Sequence, residues 1–292
     1  MFVGFWGALA EHSFMRYALL AGMLASVACG VVGSYVAARR ITYIAGGIAH
    51  CVLGGMGAAR YMQVVMGLEW LRPLYGAVFA ALLAAFVIGW VSLHRRERED
   101  TAISAVWAIG MAVGVLFIWG TPGYHENLMS YLFGNILMVG PSDLWLVGVL
   151  DVLVLTVGIL CYDQLLAVCF DEEFARLRGI RVEVYYMLLL CLTALTVVLL
   201  VTVVGLVMVI ALLTLPVAIA GMFARSLWQV MVVAAGLSAL FCMTGLAASY
   251  GADSPAGATT ILIAGAAYVV GSGVQGARAA VMARRGAGET AA

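Results

Sequence analysis

Residues 184–224 read VYYMLLLCLTALTVVLLVTVVGLVMVIALLTLPVAIAGMFA, without one charged side chain. As a single helix rising 1.5 Å per residue, this run would be about 60 Å long, roughly twice the thickness of a bilayer's hydrocarbon core. It therefore has to fold back on itself, and Gly205 is the residue best suited to the turn. Working outward, the stretches 17–38, 73–93, 101–124, 226–252 and 254–277 are also uncharged. Each reaches the roughly 18–20 residues that cross a bilayer as a helix. The 292 residues are 65% hydrophobic and 10% charged, against about 25% charged in soluble domains. An all-α, polytopic transmembrane helical bundle of about 8–9 spans follows. A β-barrel would show short alternating segments instead.

The expected crossings lie near 15–37, 43–66, 73–93, 101–119, 143–163, 184–203, 205–222, 228–248 and 257–276. Between the fourth and fifth, GTPGYHENLMSYLFGNILMVGPSD leaves room for a short re-entrant or interfacial helix over 127–138. No polar linker divides the chain, so 1–292 reads as one transmembrane domain, with residues 285–292 as a disordered tail. The N-terminus lacks the basic n-region of a cleaved signal peptide, so the first span is expected to stay in the mature protein.

Net charge is zero and points to no nucleic-acid partner. All fifteen basic residues are arginine. A phosphate-binding P-loop needs its lysine, so any ATP that drives this chain is bound by another subunit. Twelve arginines (39, 40, 95, 96, 98, 176, 178, 181, 225, 278, 284, 285) fall on one side of the nine-crossing map. The positive-inside rule makes that side cytoplasmic, with the N-terminus outside and the C-terminus inside the cell membrane. The six cysteines show no C-x-x-C spacing and read as packing residues rather than a disulfide framework or metal cage.

His50, in AGGIAHCVLGGMG (45–57), is the one ionisable group of a glycine-rich apolar stretch. It lies about seven residues into the second crossing, roughly 10 Å below the cytoplasmic surface. Ionisable residues at that depth face cavities or the bundle interior and mark transport routes. Imidazole suits zinc, copper, iron and nickel. Gly46 and Gly54 share its helical face, and Gly47 begins the neighbouring stripe. Such faces give close helix contact or open space beside the ring. An interhelical hydrogen bond that only joins the bundle is the alternative reading.

Asp151, within the fifth crossing, is either a second ligand or proton-linked group, or a carboxylate held by a neighbouring helix. Arg60 reads as structural, snorkelling outward or paired with an acid. The Glu11/His12 and His125/Glu126 pairs read as solvated loop residues more than as a cation-attracting mouth. On the cytoplasmic side, DEEFARLRGIRVE (171–183) reads as a mixed-charge helix closed at Gly179. PVAIAGMFARSLWQ (216–229) reads as a short helix able to dock on a partner. An ordinary loop is the alternative for each. No Ser/His, Asp/Asp or H-E-x-x-H arrangement points to an intramembrane enzyme.

Five stretches occur in order: RRITYIAGGIAHCVLGGMG, NLMSYLFGNILMVGPSDL, FDEEFARLRGI, VVGLVMVIALLTLPVAIAGMFARSLWQ and ASYGADSPAGATTILIAG. Together they resemble the permease subunits of zinc/manganese/iron ABC importers, over about residues 15–275. The resemblance implies a vitamin-B12-importer-like permease architecture and a homodimer in the cytoplasmic membrane. It also implies a cytoplasmic ATP-binding subunit and a periplasmic or extracellular metal-binding protein. The chain would be no enzyme and would hold no permanent cofactor, and its cargo would be Zn2+, or else Mn2+ or Fe2+.

By that resemblance His50 is the metal-path histidine, Pro216–Ser226 (with Ala220 and Arg225) meets the ATPase, and 171–181 (with Glu172 and Gly179) is a further contact. Many family members have GDAISH where this chain has AGGIAH, so a glycine, Gly46, stands in place of the aspartate one turn before the histidine. Loss of that carboxylate tilts the donor set from manganese toward zinc. A histidine ligand must be deprotonated, so transport is expected to weaken in acid. A permease for a metal chelate or cobalamin, or an ion-coupled secondary carrier working through Asp151, are the rival readings.

Overall fold

The computed structural model describes residues 2–94, 99–122, 134, 136–252 and 254–289. Among these, twelve α-helices follow one another. They are α1 Phe2–Glu11, α2 Ser13–Arg39, α3 Thr42–Val65, α4 Pro73–His94, α5 Glu99–Gly120, α6 Pro141–Leu160, α7 Tyr162–Phe170, α8 Glu172–Leu177, α9 Val182–Val204, α10 Leu206–Gly221, α11 Leu227–Ala252 and α12 Ala256–Glu289. All nine expected crossings are present as helices. Seven are long and apolar enough to span a membrane: α2, α4, α5, α6, α9, α11 and α12 up to Gly276. Of the other two, α10 has only 16 residues, and α3 dilutes its apolar residues with glycine, His50 and Arg60.

Gly205 does turn the long apolar run. Its φ of 89° lies in the left-handed region that a side chain resists, and α9 ends and α10 begins on either side of it. The helix continues through Pro216, which is buried inside α10. Residues 216–226 are thus not a separate docking helix: 216–221 finish α10 and 222–226 turn into α11. A proline inside a helix gives up one backbone bond. The bond given up is the one to the Leu212 carbonyl, and the nearby Thr214 hydroxyl donates instead to the Ile210 carbonyl, 2.9 Å away. The last helix, α12, runs on to Glu289, into the stretch expected as a tail. Of the expected 127–138 helix, only a 3-10 turn at Ile136–Met138 falls among the described residues. His125, Glu126 and the arginines at 95, 96 and 98 lie outside them.

The bundle has two parts. In one, α3 packs between α4 and α5. In the other, α2 is the central strut, against α6, α10 and α11, with α12 outside α10 and α11. The two parts are joined by α9, which touches α4 and α3 on one side and α2, α6 and α10 on the other. The unexpected α1 folds onto α2 and α11, with Phe5 fully buried, edge-on to Tyr250.

Candidate functional site

The contact between α3 and α5 places His50. These helices run parallel, and small residues let their backbones meet. A Cβ added at Gly54 would stand 2.6 Å from the Gly110 carbonyl oxygen, and one at Gly57 2.9 Å from that of Gly114. A Cβ at Gly110 would stand 2.7 Å from the Cα of Cys51, and one at Gly47 2.9 Å from the Ile103 side chain. Any larger residue at these positions would force the helices apart. The resulting register sets residue 50 beside residue 107. Gly47 and Gly54 thus form the seam, whereas a Cβ at Gly46 would meet no atom within 4 Å. Of the three glycines expected beside the histidine, only Gly46 borders open space.

The His50 Nδ1 lies 2.8 Å from the Gly46 carbonyl oxygen. A carbonyl only accepts, so Nδ1 carries the proton and donates it. In the neutral ring this leaves the Nε2 lone pair as the available donor to a metal. Ligating histidines usually have the non-ligating nitrogen anchored in this way. The imidazole also stacks on Trp107 of α5, with ring centroids 4.2 Å apart and planes 27° apart.

Asp151 is buried, at 5% exposure, with its carboxylate against the Ala28 backbone of α2. Its surroundings are those of α6 against α2, near Cys29, and not those of His50, which faces α5. The structure does not bring these two candidates together. Among the described residues no group of three or more His, Cys, Asp or Glu could hold a metal ion. Arg60 donates from Nη1 to the Gln63 side chain at 2.7 Å. His12, at the opposite end of α2 from Arg39, stacks on Phe14.

The end of the bundle near Arg39 carries the second set of candidates. Asp171 caps α8 by accepting from the Phe174 N–H at 3.0 Å. Gly179 closes it with φ 76°, and the Gly179 and Ile180 N–H groups bond back to the Arg176 and Ala175 carbonyls, as a helix C-cap requires. Glu172 is ion-paired with Arg39, whose guanidinium also sits over the Tyr186 ring, 5.3 Å from its centroid. Tyr186 in turn is hydrogen-bonded to Ser92 at 3.0 Å. Arg225 and Ser226 join Arg40 in lining a cleft of about 840 Å³ between α2, α7, α10 and α11. Pro216 and Ala220 instead pack inside.

Trp107 was not expected from the sequence. Its signal is GMAVG at 110–114, a small-xxx-small pair that matches the glycines of α3 and carries Trp107 one turn before it.

A family model described as the ABC 3 transport family matches residues 11–275. A Chlamydia pneumoniae protein named as a probable metal transport system membrane protein is 41% identical over 249 residues, 85% of each chain. The manganese transport system membrane protein MntC of Halalkalibacterium halodurans is 33% identical over 267 residues, 91% of this chain and 89% of its own. Among solved structures, PsaBC from Streptococcus pneumoniae in complex with Fab superposes with a TM-score of 0.81 at 27% identity, covering 93% of this chain and 95% of that one.

Proposed function

Since this chain belongs to the ABC 3 transport family, we propose that it is the membrane-spanning permease subunit of an ATP-binding-cassette importer for a divalent metal ion. Zinc is the first candidate cargo. The observation that carries the reading is His50. Its imidazole sits within a bundle helix with Nδ1–H anchored on the Gly46 carbonyl, which leaves Nε2 free to take a borderline cation.

In this reading the twelve-arginine side faces the cytoplasm and the chain sits in the cytoplasmic membrane as a homodimer. A binding protein outside the membrane releases metal to the dimer's outer mouth. The ion passes His50, which serves as a single-donor waystation, and a closed four-ligand cage would hold zinc too tightly for passage. ATP is hydrolysed on a separate cytoplasmic subunit, in keeping with a chain that has no lysine. That subunit meets the end of the bundle at α8 (Glu172, Gly179) and at the 222–226 turn (Arg225, Ser226). Alternating access then moves α3 and α5 relative to each other.

Manganese is the second candidate, favoured by the name of the Halalkalibacterium relative. Against it stands the missing carboxylate at Gly46, because manganese prefers oxygen donors. Uptake of zinc and of manganese, each with the other as competitor, is to be measured in cells carrying the wild-type chain or His50→Ala at matched membrane abundance. Strong loss of uptake in His50→Ala is expected. Undiminished uptake would remove His50 from the route, and manganese taken up in preference to zinc would reverse the order of the two candidates.

A further inference from the structure

We propose that Trp107 is a positioning residue for metal passage: it fixes the imidazole plane of His50, and so the direction in which Nε2 presents its lone pair. The inference rests on the His50 reading given above.

A histidine side chain has two torsions to fix. The bond from Nδ1 to the Gly46 carbonyl constrains the ring's edge but leaves its plane free to swing about that contact. The indole of Trp107 closes this freedom by stacking at 4.2 Å and 27°. The indole is itself braced. Tyr43, seven residues before His50 and on the same face of α3, lies against it with centroids 5.9 Å apart. The Tyr43 hydroxyl is hydrogen-bonded to Ser104, one turn before Trp107, at 3.0 Å. Two side chains of α3 and two of α5 therefore interlock around the ring, at the register that the glycine seam imposes.

Two consequences follow for the metal. The indole covers one face of the imidazole, while the Nε2 lone pair lies in the ring plane, on the nitrogen not held by the Gly46 carbonyl, and is the donor a cation meets. The indole face also carries negative electrostatic potential, which favours the imidazole when a cation is bound to it. With no aspartate at position 46, a lone histidine has no second ligand to orient the ion, and the ring's own direction matters more.

The test measures zinc uptake kinetics in cells that express the permease with its ATPase and binding protein, at matched membrane abundance. The chains compared are wild type, Trp107→Phe, Trp107→Leu, Trp107→Ala, His50→Ala and the His50→Ala/Trp107→Ala double variant. Residues that orient a ligating histidine typically change affinity or activity about 10- to 100-fold when removed. Trp107→Ala is accordingly expected to lower uptake efficiency about tenfold. Trp107→Phe, which keeps a stacking ring, stays within about twofold of wild type. In the His50→Ala background, Trp107→Ala adds no further loss.

A Trp107→Ala loss of the same size with and without His50 overturns the proposal and leaves the His50 reading standing. Normal uptake in Trp107→Ala does the same. Normal uptake in His50→Ala removes both. Trp107→Leu keeps the bulk and loses the aromatic face, so it carries the same comparison where the alanine chain does not reach the membrane.

Discussion

Replacing Gly54 with alanine tests whether the seam between α3 and α5 is as tight as its geometry demands. The new Cβ would lie 2.6 Å from the Gly110 carbonyl oxygen, a backbone atom that cannot rotate away. Ordinary contact begins near 3.4 Å, so the helices must part by about 0.8 Å at that point. A gap of that size forfeits roughly a quarter to a half of the dispersion energy of each contact it opens. Overpacking of this kind costs about 1–3 kcal/mol.

Gly46→Ala is the internal control on the same helix, outside the seam. Its Cβ meets nothing within 4 Å, and alanine is the better helix former by roughly 1 kcal/mol. Thermal unfolding of the detergent-solubilised chains is therefore expected to give Gly54→Ala a midpoint below wild type by about 5 °C, and Gly46→Ala one at or above wild type. Zinc uptake should fall only in Gly54→Ala, because parting the helices lifts Trp107 from His50. Equal midpoints for the two alanine chains would refute the seam.

Gly46→Asp should raise manganese uptake relative to zinc by about tenfold, since the open space beside Gly46 admits a carboxylate at i, i+4 from His50. Competition between the two ions in the uptake assay checks it, and an unchanged ratio counts against Gly46 as the missing ligand position. Cys169, in α7 beyond the spans, has its thiol pushed by burial up to about 12, with Arg39 pulling weakly the other way. Because the thiolate is the reactive form, its fraction at neutral pH is about a thousandfold below that of an ordinary thiol. N-ethylmaleimide should leave Cys169 unmodified in the folded chain and label it after SDS denaturation, as read by peptide mass spectrometry. Rapid labelling of the folded chain would show that α7 is not packed as described.

Apolar run length made the nine long helices legible, because a bilayer-spanning helix has to satisfy its backbone internally and in one piece. Gly205 and Gly179 were legible for a local reason: each sits where the chain needs a positive φ at the end of a helical run. What could not be read were pairings between distant segments. The match of Gly47, Gly54 and Gly57 with Gly110 and Gly114 exists only once two helices choose each other, and the stack of Trp107 on His50 is its by-product. Pro216 misled because a proline usually opens a helix at its first turn, whereas α10 continues past it with the ring buried in the bundle. Asp151 was expected as a possible partner of His50 on chemical type alone, and helix packing places it with α2.

Arg39 is the last residue of α2, and α3 departs only three residues later, at Thr42, across a tight elbow in which Arg40 takes a left-handed φ of 63°. Because Arg39 also holds Glu172 and lies over Tyr186, α8 and α9 are fastened to the elbow from which α3 departs. His50 stands eight residues up that arm, about 12 Å along the helix axis. A tilt of about 10° at the elbow would carry the imidazole sideways by about 2 Å, half the spacing of its stack on Trp107. A small displacement of α8, too small to open a channel by itself, would thus be geared at this elbow into a movement large enough to uncover the histidine.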